Sequence, residues 1–136
     1  MAMTISQIMA KTPLDRKQMG KASKIIGYKA KKTVNGFPML MAKVQCLVNS
    51  KLEAIPAHAR QSYLAVIEVY KKGQVIVSCS CDDFKYRWEY ALNKKGAARI
   101  EYSNGEPPVE RNDAEVPGMC KHLVGFTIYL RDKGML

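Results

Sequence analysis

The chain has 136 residues, 47% of them hydrophobic, enough for one compact domain with a real core and too few for two. Lys and Arg number 22 against 12 Asp and Glu, a net charge of +10, and no apolar run approaches the roughly 20 residues of a membrane span. The opening Met1-Ala-Met-Thr-Ile-Ser-Gln lacks the basic start and apolar core of a secretory signal, and the four cysteines do not read as a secreted disulfide framework. The expected setting is therefore a reducing compartment, such as a bacterial or infected-cell cytoplasm.

Residues 3–10 and 13–26 are expected as short helices, the second starting after Thr12 as cap with Pro13 at its first position. Basic residues crowd the stretch from residue 16 to 32: Arg16, Lys17, Lys21, Lys24, Lys29, Lys31 and Lys32 recur among small and apolar neighbours. The first 60 residues hold 11 basic against 2 acidic side chains, or +9, whereas the remainder balances 11 against 10. Such a block is the footprint of a surface that meets phosphate, nucleic acid being the commonest polyanion, and these seven residues are the expected contacts. The plain alternatives are a solvated charged face or an arm that docks into an acidic protein.

From Lys29 the pattern turns extended. Asn35-Gly36, between Lys29–Val34 and Phe37–Val48, signals a hairpin that Pro38 shortens. Cys46 lies on the apolar side of the second arm and reads as a small buried hydrophobe. Residues 49–61 read as a loop, and His58 within it carries no assigned role. The clearest hairpin runs through residues 62–70, a turn at Lys71-Lys72-Gly73, and Gln74 to Cys81, with β-branched residues in both arms.

After Cys81 the period changes. Asp82 or Asp83 is expected to cap a helix on which Phe84, Trp88 and Leu92 form one apolar stripe that packs into the core. Tyr86 and Tyr90 form a second row, flanked by Lys85, Arg87 and Lys94, that either covers a sheet or stacks on a partner. Residues 95–118 are turn-rich, with Asn104-Gly105 and Pro107-Pro108, and carry −2: Lys95, Arg99 and Arg111 against Glu101, Glu106, Glu110, Asp113 and Glu115. DNA would repel this insert, so its expected contact is a protein or the basic arm of a neighbouring copy. Met119 to Arg131 closes the chain as a helix with Leu123, Phe126 and Leu130 on one face, widened by Val124 and Ile128.

Two short patterns stand out against this background: Cys79-Ser80-Cys81 ending a strand, and Cys120-Lys121-His122 opening a helix. Alternation along a strand sends Cys79 and Cys81 off one face, so their sulfurs can converge on one ion. Cys120 sits where the free N–H groups of a helix start point, which favours its thiolate, and His122 follows within the first turn. Three thiolates and an imidazole are the ligand set of a closed, four-coordinate structural Zn²⁺ site. The competing readings are a strained Cys79–Cys81 disulfide and ordinary buried thiols. A hydrolytic zinc site would keep a position open for water, and no catalytic set can be built around two histidines, so no enzymatic activity is expected.

The string Cys79-Ser-Cys81-Asp-Asp-Phe84, followed by Met119-Cys120-Lys-His122-Leu123, resembles the SWIM zinc finger, whose signature is CxC, a variable spacer, then CxH. The match covers residues 63 to 131, with a 38-residue spacer from 82 to 119 that is longer than in most members. The resemblance implies a β-β-α zinc module that binds DNA or protein partners without catalysis. The extended-spacer form is also similar to small proteins of tailed bacteriophages.

Taken together, the expectation is an α+β fold: a small antiparallel sheet, a zinc-pinned β-β-α module at 63–136 with its insert at 95–118, and a basic arm with the first strands at 1–62. Its expected role is nucleic-acid contact without sequence reading through the arm. The alternative is a virion structural or adaptor protein in which the zinc domain docks on other subunits.

Overall fold

Strand β2 (Ser23–Lys32) and strand β3 (Pro38–Cys46) form the longest pairing in the molecule. The computed structural model describes residues 2–106, 108, 111, 112 and 114–136; the turn expected at Pro107 and the charges of Glu110 and Asp113 lie outside them. The β2–β3 hairpin closes as the Asn-Gly signal predicts. Thr33 N–H donates to Phe37 O at 2.7 Å and Gly36 N–H to Thr33 O at 2.9 Å, with Gly36 at φ +85°. Pro38 is the first residue of its strand, where a missing N–H costs no ladder bond.

A second hairpin joins β4 (Ser62–Val69) to β5 (Gln74–Cys79), and a two-residue β1 (Met3–Thr4) pairs with the start of β5. The five strands run antiparallel in the order β1-β5-β4-β3-β2, so both segments of the chain contribute to one sheet. The helices are α1 (Ile5–Lys11), α2 (Leu14–Lys21), a π-helical turn (Phe84–Trp88) that runs into α3 (Glu89–Lys94), and α4 (Lys121–Asp132). The architecture is α+β. Among the described residues no helix is long and apolar enough to cross a membrane.

Leu40, Ala42, Val44 and Cys46 alternate onto the inner face of the sheet, joined by Ala65, Ile67, Val75 and Val77. Helix α4 lies across this face. Its Leu123, Phe126 and Leu130 are all buried, as the 3.6-residue period predicts, and each contributes about 1.5–3 kcal/mol relative to exposure. Phe84, Trp88 and Leu92 fill the same core from the other helix, as expected of that stripe.

Helix α2 crosses α4 at a glycine contact. A Cβ on Gly20 would stand 2.5 Å from Val124 Cγ1, and one on Gly125 would stand 2.5 Å from Ser23 Oγ. Only hydrogen at both positions permits this approach.

Three sequence expectations need correction. The helix expected over 13–26 stops at Lys21, and Ser23 onward is strand, because Ile25 pairs with buried Val44 and burial outweighs local helix preference. Thr12 does not cap α2: Pro13 holds that position, and Thr12 ends α1. The side-chain cap sits instead at Thr4, which exchanges hydrogen bonds with Gln7 at 2.9 and 3.2 Å. Neither Asp82 nor Asp83 caps the helix after Cys81; the Cys81 sulfur accepts the Phe84 N–H at 3.4 Å instead.

The turn-rich insert is tied down over much of its described length. Val77 N–H donates to Ala97 O at 2.8 Å, and Arg99 pairs with buried Glu68. The buried Glu89 carboxylate accepts the N–H groups of Glu101, Tyr102 and Ser103 at 3.1, 3.0 and 2.8 Å. Asn112 bridges Arg87 O and Val116 O, and Lys94 pairs with Glu115 at 2.8 Å.

Candidate metal centre

Cys79 is the last residue of β5, opposite Ala65 on the inner face. Just beyond the strand, Ser80 holds the register: its N–H donates to Leu64 O at 3.0 Å and its Oγ accepts the Leu64 N–H at 2.9 Å. The sequence placed Cys81 on the same strand, but the chain has already bent there and Cys81 starts the turn into the next helix. The two sulfurs converge nonetheless, through a bend rather than through strand alternation.

Cys120 is the residue before the first turn of α4, extended at φ −73° and ψ 165°, and its carbonyl accepts the Val124 N–H that begins the helix. His122 is the second helical residue, so its ring comes back over the same helix end. The ligand atoms of Cys79, Cys81, Cys120 and His122 all lie within 4.8 Å of one another, and the four residues are 0–3% exposed. A tetrahedron with metal–sulfur bonds of about 2.3 Å has edges of about 3.8 Å, so small side-chain movements close the site on one ion. His122 Nδ1 is buried with no hydrogen-bond partner, an orphaned polar atom that coordination of a metal through this nitrogen would satisfy. All three cysteines are free thiols, which sets aside the Cys79–Cys81 disulfide. The residues present fit one metal ion.

Electrostatics within the cluster differ from the sequence expectation. Burial pushes the Cys79 and Cys120 thiols well up, while hydrogen bonds from Cys120 and Cys79, with His122 beside them, hold Cys81 down. The helix start was expected to favour the Cys120 thiolate. A helix dipole is worth about 0.3–1 kcal/mol, less than the desolvation of a fully buried thiolate, so burial wins at Cys120. A divalent cation reverses this balance, because a coordinating thiol is deprotonated outright.

Surrounding side chains hold the ligand segments in place. Asp83, two residues after Cys81, accepts Arg16 through Nε at 3.1 Å and Nη2 at 2.7 Å, and the Trp88 indole N–H at 3.0 Å. Arg87 approaches the same carboxylate at 3.3 Å. Thr12 Oγ1 accepts the Met119 N–H at 3.1 Å, next to Cys120, while donating to Ile8 O at 2.9 Å. The Tyr63 ring packs at 4.8 Å from the His122 ring, and burial, then the nearby Cys81 charge, raises its hydroxyl. A cleft of about 240 Å³ opens beside Cys81 and His122, lined also by Tyr63, Asp82 and Lys121.

The basic residues named from the sequence do not form an arm. Arg16 is engaged with Asp83 and Asp15. Lys17 and Lys21 belong to α2, half-buried and exposed respectively, while Lys24, Lys29, Lys31 and Lys32 are exposed on β2. Cys46 is a buried thiol whose sulfur lies 3.3 Å from both Met19 O and Val48 O, two acceptors for its single S–H, and His58 is exposed in a short 3-10 turn at Ala57–Ala59. Tyr86, 46% exposed, lines a groove of about 460 Å³ with Tyr90 and Tyr102.

Sequence reading missed Thr12 and Asp83 as supports of the ligand segments, and no local signal marks them. It also passed over Lys43. The alternation of Leu40, Ala42 and Val44 puts Lys43 on the opposite face of β3, and the Asn-Gly hairpin sets it beside β2.

Comparisons with protein-family models, with curated proteins and with solved structures return no match to this chain. What fold and site define is thus a class: a small α+β protein with a five-stranded antiparallel sheet and a buried Cys3His cluster able to bind one metal ion.

Proposed function

We propose that the protein is a structural zinc module of SWIM type that contacts nucleic acid through phosphate, without reading sequence. The observation that carries the zinc assignment is the meeting of four buried ligand atoms within 4.8 Å, two from a hairpin end and two from a helix start. Three sulfurs and one imidazole suit Zn²⁺ in closed tetrahedral coordination, and such a site leaves no position for a reacting water. When bound, the ion supplies cross-linking of segments nearly forty residues apart. The β-β-α order of the ligands is what the SWIM resemblance implies.

Nucleic-acid contact is supported by the charge of the first 60 residues, +9, and by the exposure of Lys21, Lys24, Lys29, Lys31 and Lys32. Arg16 is left out of the contact set, since its guanidinium is already hydrogen-bonded.

Elemental analysis of the purified protein tests the first half: one zinc per chain is expected, and a chain free of metal after purification with added zinc overturns it. A salt series of binding to random-sequence duplex tests the second. The logarithm of the binding constant is expected to fall linearly with log salt, and undetectable binding at low salt removes the nucleic-acid reading.

A further inference from the structure

The register of the sheet sorts the basic residues by face. Cross-strand partners share a face, and the outward positions of β3 are those opposite the buried Leu40, Ala42 and Val44. Lys24 pairs with Gln45, Ile26 with Lys43, Lys29 with Met41 and Lys31 with Met39, so all eight point outward. A bulge between Ile26 and Lys29, with Gly27 at φ +64°, keeps Lys24 and Lys29 on one face although they are five residues apart. Lys32 pairs with Pro38 and takes the opposite face, while Lys17 and Lys21 belong to the helical layer.

Four exposed lysines thus gather on the outer face of β2 and β3, none with an acidic side chain within 4.0 Å among the described residues. Lysines on an edge strand ordinarily discourage pairing with another sheet. That accounts for Lys24, Lys29 and Lys31 on β2, but Lys43 lies on the interior strand β3 and needs another reason. Between the lysines lies an apolar floor with Ile26 37% and Leu64 39% exposed, forming a shallow groove of about 340 Å³ with Met41.

We propose that this outer sheet face, with Lys24, Lys29, Lys31 and Lys43, is the docking surface for the sugar-phosphate backbone of duplex nucleic acid. The proposal rests on the nucleic-acid reading above and specifies its site. The lysine row spans about 20 Å, a length of duplex that carries about twelve phosphates. The paired outward positions of β2 and β3 hold no aromatic side chain on which an unpaired base could stack, which favours duplex backbone over single strands. A second copy seated here would oppose lysine to lysine.

The test compares two quadruple variants in duplex binding from 50 to 200 mM salt: K24Q/K29Q/K31Q/K43Q on the face and K11Q/K51Q/K71Q/K133Q elsewhere, each checked for an unchanged melting curve. The face variant is expected to lose about 3.6 of the log–log salt slope, about 0.9 per phosphate contact, with the control changing by less than one unit. K43Q alone is expected to lose about 0.9, a check that does not depend on the quadruple variant folding. Equal losses in both quadruple variants overturn the face while leaving the nucleic-acid reading standing. Wild-type protein that binds no duplex overturns both. Unchanged duplex binding with lost binding to phosphatidylserine vesicles overturns the proposal in favour of a membrane.

Discussion

Arg16 on α2 grips the carboxylate of Asp83, 67 positions away, through two nitrogens at 3.1 and 2.7 Å. A residue from the most basic stretch of the chain therefore braces the segment that carries Cys81 rather than standing free for a polyanion. The pair locks the first helical layer to the turn that carries Cys81, and Trp88 and Arg87 complete the enclosure of the carboxylate.

Breaking this clamp from either side should destabilise the fold. Arg16→Met and Asp83→Asn are each expected to cost about 1–3 kcal/mol, because each breaks a part-buried, charge-assisted pair between two distant segments. Urea unfolding of both single variants and the double variant checks it: strictly additive losses would mean that the two residues do not act as a pair.

Metal removal should matter more than any of these substitutions. Zinc binding to small modules releases about 10–16 kcal/mol, comparable to the whole stability of a domain. Cys79→Ala, Cys81→Ala, Cys120→Ala and His122→Ala are each expected to lower the melting temperature sharply and to abolish its dependence on a strong chelator. Identical melting of the wild-type protein with and without chelator would refute a stabilising ion.

The α2–α4 crossing makes a steric prediction. Gly20→Ala places a methyl 2.5 Å from Val124 Cγ1 and 2.9 Å from the Lys121 carbonyl oxygen, so the helices must separate. A loss of about 1–3 kcal/mol is expected, as for other overpacked sites. Gly20→Ala combined with Val124→Ala should recover part of it, and chemical denaturation of the three proteins reads the difference.

Glu68 predicts a specific pH response. The hydrogen bond from Arg99, then that from Tyr70, outweighs burial and holds its carboxyl below the ordinary 4.5. The unfolded chain takes up this proton first, so the contribution is fully present above about pH 4.5 and is lost as pH falls through the lower folded value. Since Arg99 is half exposed, its size is about 0.5–1 kcal/mol. Melting temperatures from pH 6 to 3 should fall more steeply for wild type than for Glu68→Gln, and parallel curves would dismiss the assignment.

Local patterns were legible wherever a single element carries its own signal. The face of α4 follows from the spacing of Leu123, Phe126 and Leu130, and both hairpins follow from their turn residues. Where neighbours compete, the reading failed. Residues 22–26 look helical in isolation, but pairing of Ile25 with Val44 draws them into the sheet. Asp83 looks like a helix cap, yet two arginines and an indole offer it better partners than the backbone does. Glu89 appears as one more charge on a helix, and only the return of residues 101–103 against it makes it a buried anchor.

The amino-acid order alone determined which four side chains can share an ion and that the positive charge lies in the first half of the chain, because ligand type and charge are properties of residues. Tertiary structure decided how Cys81 reaches its partners, which arginine is engaged, and which lysines stand together. Those outcomes depend on strand register, a single bulge and contacts across dozens of positions, and a one-residue shift in any of them moves a side chain to the opposite face.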